Sequence, residues 1–161
     1  MENNTIEIIE YDRKYKDEYI NLNMKWLLKY DLLEDKDEII IQNVEREILD
    51  KNGKVYLLRT NKEEIIGTVG LRPISDKTVE ILKLAVDSNF KGLGLGRRLM
   101  EKAIEESYNL GYKNIALYTN SKLKAAIGLY KKLGFKKVAL DDSHYEEVDM
   151  KMIYEVKRIK K

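Results

Sequence analysis

EILKLAV at residues 80–86, DSNFK at 87–91 and GLGLGRR at 92–98 decide the fold. The first piece is apolar and strand-like. The second is a polar bend, and the third is a glycine cluster leading into the helical spacing of Leu95, Leu99, Ala103 and Ile104. A strand that feeds a glycine-rich loop, which in turn feeds a helix, is suited to holding an anion. Glycines remove side chains, so backbone N–H groups can converge on an oxygen-rich group, and the helix N-terminus adds partial positive charge there. Arg97 and Arg98 stand in the first helical turn, where cations oppose the macrodipole, and a bound anion would reverse that penalty. Two commoner phosphate loops fail on spacing. A dinucleotide G-x-G-x-x-G needs glycine at Arg97 or Leu99, and a Walker loop needs a G-K-[ST] triplet that the chain lacks. The alternative for the loop alone is a flexible strand-to-helix turn that binds nothing.

Upstream, residues 5–10 read as a strand. Residues 15–30 read as a helix, because Tyr15, Tyr19, Leu22 and Trp26 recur at helical spacing. After a break at 31–36, Asp35 and Asp37 can each cap a second helix whose one face carries Ile40, Val44 and Ile48. Asn52-Gly53 ends that helix. Residues 54–60, 64–72 and 78–86 then read as three strands with short connections, an antiparallel meander. Downstream, Gly111 closes the glycine-loop helix. A strand follows at 114–119, a helix at 123–133 stopped by Gly134, and strands at 135–140 and 148–156. The predicted order is β-α-α-β-β-β-α-β-α-β-β, an α+β fold. The strand–helix–strand crossover lets one pair run parallel, so the sheet is mixed and mostly antiparallel.

Composition narrows the chemistry. The chain has 161 residues, expected to form a single domain over 1–161. It has no Cys, which removes disulfides, thiolate nucleophiles and Cys-based metal sites, and its single His excludes a multi-histidine cluster, so no metal is expected. Net charge is +2, too balanced to point to nucleic acid, and no apolar run reaches membrane-spanning length. The polar, acidic opening MENNTIEIIE is unlike a signal peptide, which predicts a cytoplasmic protein. His144 lies in a polar stretch where a lone histidine is usually surface, and VKRIKK at 156–161 reads as a frayed solubilising end.

Two blocks carry a family likeness. Lys91-Gly92-Leu93-Gly94-Leu95-Gly96 resembles the Q/R-x-x-G-x-G/A signature of the GNAT superfamily of N-acetyltransferases, with Lys in the first position. Ala126-Ile127-Gly128-Leu129-Tyr130-Lys131-Lys132-Leu133-Gly134-Phe135 resembles the family's A-I-x-L-Y-x-K-x-G-F block. The likeness extends over residues 5–152. Within the superfamily, Trp26, Lys83 and Thr119-Asn120-Ser121-Lys122-Leu123 look like a bacterial subgroup sometimes fused to winged-helix regulators. This chain would be a stand-alone version, with Leu123 where many relatives have an asparagine that contacts coenzyme A.

The resemblance implies an acetyl-CoA-dependent enzyme that acetylates a primary amine by direct transfer in a ternary complex. By resemblance, the backbone of Leu84, Ala85 and Val86 would pair with the pantetheine arm, with the Val86 amide on the thioester carbonyl. Lys91, Gly92, Leu93, Gly94, Leu95, Gly96, Arg97 and Arg98 would hold the pyrophosphate. Tyr130 would protonate the leaving sulfur, and the alternative for it is a core aromatic. Glu80 would draw the amine's proton through water, against the alternative of a strand carboxylate or a salt bridge to a neighbouring strand. The N-terminal helices would cap the acceptor, with Trp26, Tyr30, Glu34 and Asp37 suited to an ammonium-bearing molecule, against the alternative of Trp26 as a core residue and Asp37 as an ordinary cap. The acceptor is a small amine or a peptide, with neither nucleic acid nor membrane as partner and a homodimer left open. Two other functions stay in play: an acyl-CoA sensor without turnover, and a protein N-terminal or lysine acetyltransferase.

Overall fold

The computed structural model describes residues 5–141 and 147–157. Strand β1 (Ile6–Glu10) is followed by helices α1 (Lys16–Lys29), α2 (Asp35–Gln42) and α3 (Val44–Glu47). The meander is β2 (Lys54–Thr60), β3 (Ile65–Pro73) and β4 (Thr78–Val86). Helix α4 (Leu95–Asn109), β5 (Asn114–Thr119), α5 (Lys124–Leu133), β6 (Lys136–Val138) and β7 (Met150–Glu155) complete the order. The sheet runs β1-β2-β3-β4-β5-β7-β6. Every pairing is antiparallel except β4–β5, which α4 joins as a crossover.

Apolar alternation along the strands buries both faces of the sheet. On one face Leu58, Ile66, Val79, Ile81 and Ile115 pack with Leu99, Met100 and Ile104 of α4. On the other, Leu57, Leu82 and Ala85 pack with Tyr19, Leu22, Ile41 and Val44 of α1–α3. Helix α4 lies close to the sheet at Gly67, where a Cβ would come within 2.6 Å of Leu58 Cδ1 and 3.2 Å of Leu99 Cδ1. Leu99 is fully buried at this contact. Leu99→Ala should therefore lower unfolding free energy by about 3 kcal/mol, read from urea denaturation. A loss under about 1 kcal/mol would mean the α4–sheet contact is not tight.

Two local features differ from the sequence reading. The single second helix is split at Asn43, whose side-chain Nδ2 and backbone N both donate to Ile39 O, at 2.8 Å and 3.1 Å. A side chain competing for a helix carbonyl breaks the ladder there. The cap of α2 is Glu34 rather than Asp35 or Asp37. Asp37 sits at the third helical position, and its Oδ2 accepts from Glu34 N at 3.1 Å in a capping box.

Candidate active site

The site begins where β4 and β5 part. The two strands pair only at Thr78↔Asn114, Val79↔Ile115 and Glu80↔Ala116. Beyond Glu80 they diverge, and the gap opens into a cavity of about 120 Å³ on one side and a groove of about 1110 Å³ on the other. Trp26, Leu84, Leu123 and Tyr130 line both, so they mark the junction.

A bulge in β4 shapes this edge. Thr68 faces Ala85 and Gly70 faces Leu82, so Lys83 and Leu84 together oppose the single residue Val69. Lys83 has φ +56, a left-handed conformation that costs a residue with a side chain about 1–2 kcal/mol. Below the bulge, Val79 and Ile81 face α4 and Leu82 faces α1–α3; above it, Ala85 faces α1–α3, while Leu84 and Val86 lie on the α4 side. The extra residue therefore reverses the phase of the strand. Asp87 N donates to Ile66 O at 2.7 Å. Bonded and non-bonded pairs alternate along an antiparallel ladder, so Val86, opposite Gly67, turns its N–H and C=O away from β3 toward the gap.

The glycine loop closes one end of the groove. Gly92 (φ +84) and Gly94 (φ +72) are left-handed, and a Cβ on either would meet nothing within 4 Å. Glycine is there for its backbone freedom and not for want of room. The amides of Leu95, Gly96 and Arg97 precede the first intrahelical bond, which Arg98 N makes to Gly94 O at 3.1 Å. Lys91, Arg97, Lys122, Lys124 and Lys132 line the groove. A Gly-loop at a helix N-terminus, ringed by cations and continuous with an apolar cleft, fits a long phosphorylated ligand.

Most of the residues singled out from sequence come together here. Leu84, Ala85, Val86, Lys91, Gly92, Gly94, Leu95, Gly96 and Arg97 line the groove. Leu93 and Arg98 do not. Leu93 is 62% exposed and points outward. Arg98 Nη2 donates to Ile6 O at 3.0 Å, which turns its guanidinium back to β1. Arg97 pairs with Glu101 at 3.2 Å, one turn along the helix. Tyr30 stacks on Trp26, with ring centroids 4.7 Å apart, and lines the groove and not the cavity. His144 and residues 158–161 fall outside the described residues.

The cavity wall carries Glu34, Asp37, Glu80 and Lys83. Glu80 is buried, and Arg72, directly across on β3, brings Nη2 to 3.4 Å from its Oε1. The salt bridge to a neighbouring strand is therefore real, and the carboxylate still faces the cavity. Glu34 Oε2 accepts from Glu147 N at 3.3 Å, closing one side. Tyr130 is both a core aromatic, 6.1 Å from Phe135 by ring centroid, and a wall of the junction. Burial alone pushes its phenol pKa well above the ordinary tyrosine value, so it stays protonated at neutral pH. The reading from sequence did not select Asn23 or Lys83 as site residues. Asn23 is buried with Nδ2 on Tyr19 O at 3.0 Å and gives no sequence signal, whereas Lys83 does. Among the described residues no group of three His, Cys, Asp or Glu side chains is placed to hold a metal, and no helix is long and apolar enough to cross a membrane.

Known proteins share this fold. The family model described as "Acetyltransferase (GNAT) family" matches residues 16–135. Human N-acetyltransferase 8B is 28% identical over 109 residues, which are 65% of this chain and 48% of that protein. The chain spans about half or less of the length of the curated relatives it matches. A GNAT-family acetyltransferase from Staphylococcus aureus Mu50 superposes with a TM-score of 0.85 at 26% identity, covering 95% of this chain and all of that one. The PaiA N-acetyltransferase of Thermoplasma acidophilum, solved in complex with coenzyme A, superposes with a TM-score of 0.73 at 19% identity, over 94% of this chain and 99% of that one.

Proposed function

Because the chain belongs to the acetyltransferase (GNAT) family, we propose that it moves the acetyl group of acetyl-CoA directly onto a primary amine within a ternary complex. In this reading it works as one domain over residues 1–161, in the cytoplasm. The observation that carries the reading is the junction: Tyr130 and Leu84 stand where a groove fit for a phosphorylated arm meets a smaller, carboxylate-walled cavity. The groove takes acetyl-CoA, with its pyrophosphate on the loop amides at Gly92–Gly96 and near Lys91 and Arg97. Its pantetheine pairs with the exposed edge of Leu84, Ala85 and Val86. The cavity takes the amine, with Trp26 at its mouth, Glu34 on its wall and Tyr30 on the groove side of the same entrance.

In the reaction the amine nitrogen attacks the thioester carbon and the C–N bond forms. The carbonyl oxygen gathers negative charge, and the Val86 N–H, turned toward the gap, is the donor available to it. The C–S bond then breaks and its electron pair stays on sulfur. Before the attack Glu80 takes a proton from the ammonium through water, which frees the nitrogen lone pair; as sulfur leaves, Tyr130 gives it a proton, and the proton still on the new amide nitrogen restores the phenol through water. With no Cys in the chain, the usual acyl carrier is absent, and direct transfer needs none.

The test is thiol release from acetyl-CoA with putrescine, L-aspartate and a tetrapeptide with a free α-amine as acceptors. Saturable release with one of them supports the reading. Binding of acetyl-CoA with no release for any of them favours a sensor, and release with the peptide alone favours protein acetylation. Glu80→Gln should flatten the acidic limb of the pH–rate profile with the best acceptor, because a base contributes only when ionised. An unchanged acidic limb would move the base elsewhere.

A further inference from the structure

Lys83 joins three features that the acetyl-transfer reading does not use together. It is the residue with positive φ inside a strand, its side chain crosses to α2, and its Nζ forms an ion pair with Asp37 Oδ1. Asp37 is buried and Lys83 is largely covered, their side chains 6% and 10% exposed. Asp37 uses its other oxygen to accept Glu34 N in the capping box of α2. A single carboxylate thus ties the β4 bulge to the start of the helix whose cap residue, Glu34, walls the cavity.

The backbone and the ion pair depend on each other. In an unbulged strand Lys83 would follow Val79 and Ile81 onto the α4 face, among Leu99 and Met100, where an ammonium has no counter-ion. The left-handed turn at Lys83 puts it instead on the same face as Leu82, toward α2. A non-glycine residue held at positive φ persists where its surroundings over-determine it, and such residues gather at functional sites. Here the ion pair with Asp37 is one such contact.

We propose that Lys83 is a positioning residue for the acceptor. Through Asp37 it latches α2 and Glu34 over the cavity and fixes the bulge that keeps β4 apart from β5. The inference rests on the reading of the cavity as the acceptor site. Lys83 itself touches neither the thioester nor the amine nitrogen in this account.

Three variants separate the latch from the fold. Lys83→Gly keeps the bulge, because glycine adopts positive φ freely, and removes the ammonium together with its four-carbon stem. Asp37→Asn keeps an oxygen for Glu34 N and removes the charge. Lys83→Arg keeps a cation. Amide hydrogen exchange of residues 35–42 on the full chain should be about tenfold faster in Lys83→Gly and Asp37→Asn and near wild type in Lys83→Arg. With the best amine of the panel, acceptor KM should rise about tenfold in the first two, with acetyl-CoA Kd within about twofold of wild type. Unchanged exchange in both variants overturns the latch. Faster exchange with unchanged acceptor KM, or with equal loss of acetyl-CoA affinity, overturns its role at the acceptor. Absence of thiol release by the wild-type protein would instead count against acetyl transfer, and the exchange measurement would still decide the latch.

Discussion

Tyr130→Phe should lower kcat by about 10²-fold, within the range general-acid catalysis contributes. The change removes one oxygen from a ring that is buried in the α4-side core beside Phe135, so packing is kept. Acetyl-CoA affinity and melting temperature should stay near wild type, and KM should move much less than kcat, because the lost interaction is made only as sulfur leaves. The pH dependence follows from burial. A phenol pushed above its usual pKa remains a proton donor across the neutral range and loses that role only at pH above the ordinary tyrosine value of about 10. The basic limb of the wild-type profile should therefore not fall near neutrality on account of Tyr130. Wild-type turnover in Tyr130→Phe, with chemistry rate-limiting, would leave Tyr130 a core residue alone.

Gly94→Glu should abolish the rise in melting temperature that acetyl-CoA gives the wild-type protein. A ligand that binds only the native state stabilises it by mass action, so the thermal shift reports the site. At Gly94 a Cβ meets nothing within 4 Å, so the substitution strains the backbone at φ +72 without a clash. Its carboxylate would stand where the loop amides converge and repel phosphate. Gly94→Asn is the control, since Asn tolerates the left-handed region. It should melt close to wild type and keep part of the shift. A full shift in Gly94→Glu would remove the pyrophosphate from this loop.

The elements around these residues were legible because their signals are local. Alternation in β2–β4, the glycines before Leu95 and the 3.6-residue spacing along α4 and α5 each depend on a few neighbours. That the sheet could hold a parallel pair followed from a strand–helix–strand crossover, and the pair that forms is β4–β5. What escaped was set by side-chain contacts, some local and some distant, that spacing does not announce. Arg98 looked like a phosphate ligand from its place in the first turn, yet Ile6 O, on β1, captures it. Tyr30 was expected beside the amine, but stacking on Trp26 holds it on the groove side. The cap of α2 moved to Glu34 because Asp37 answers it in a reciprocal box and also answers Lys83. The bulge did leave a trace. In Val79-Glu80-Ile81-Leu82-Lys83-Leu84 a strict alternation would set Lys83 among core residues, and a charge in a core-facing register is a sign of an extra residue in the strand.

In direct transfer the acetyl group passes straight from acetyl-CoA to the amine. Mass spectrometry of a quenched reaction with isotopically labelled acetyl-CoA tests it, following free thiol, acceptor and intact protein together. Direct transfer puts one labelled acetyl group on the amine for each thiol released, and none on the protein at any time. A labelled acyl-protein that forms and decays at the turnover rate would contradict it, as would thiol release with no acetylated amine.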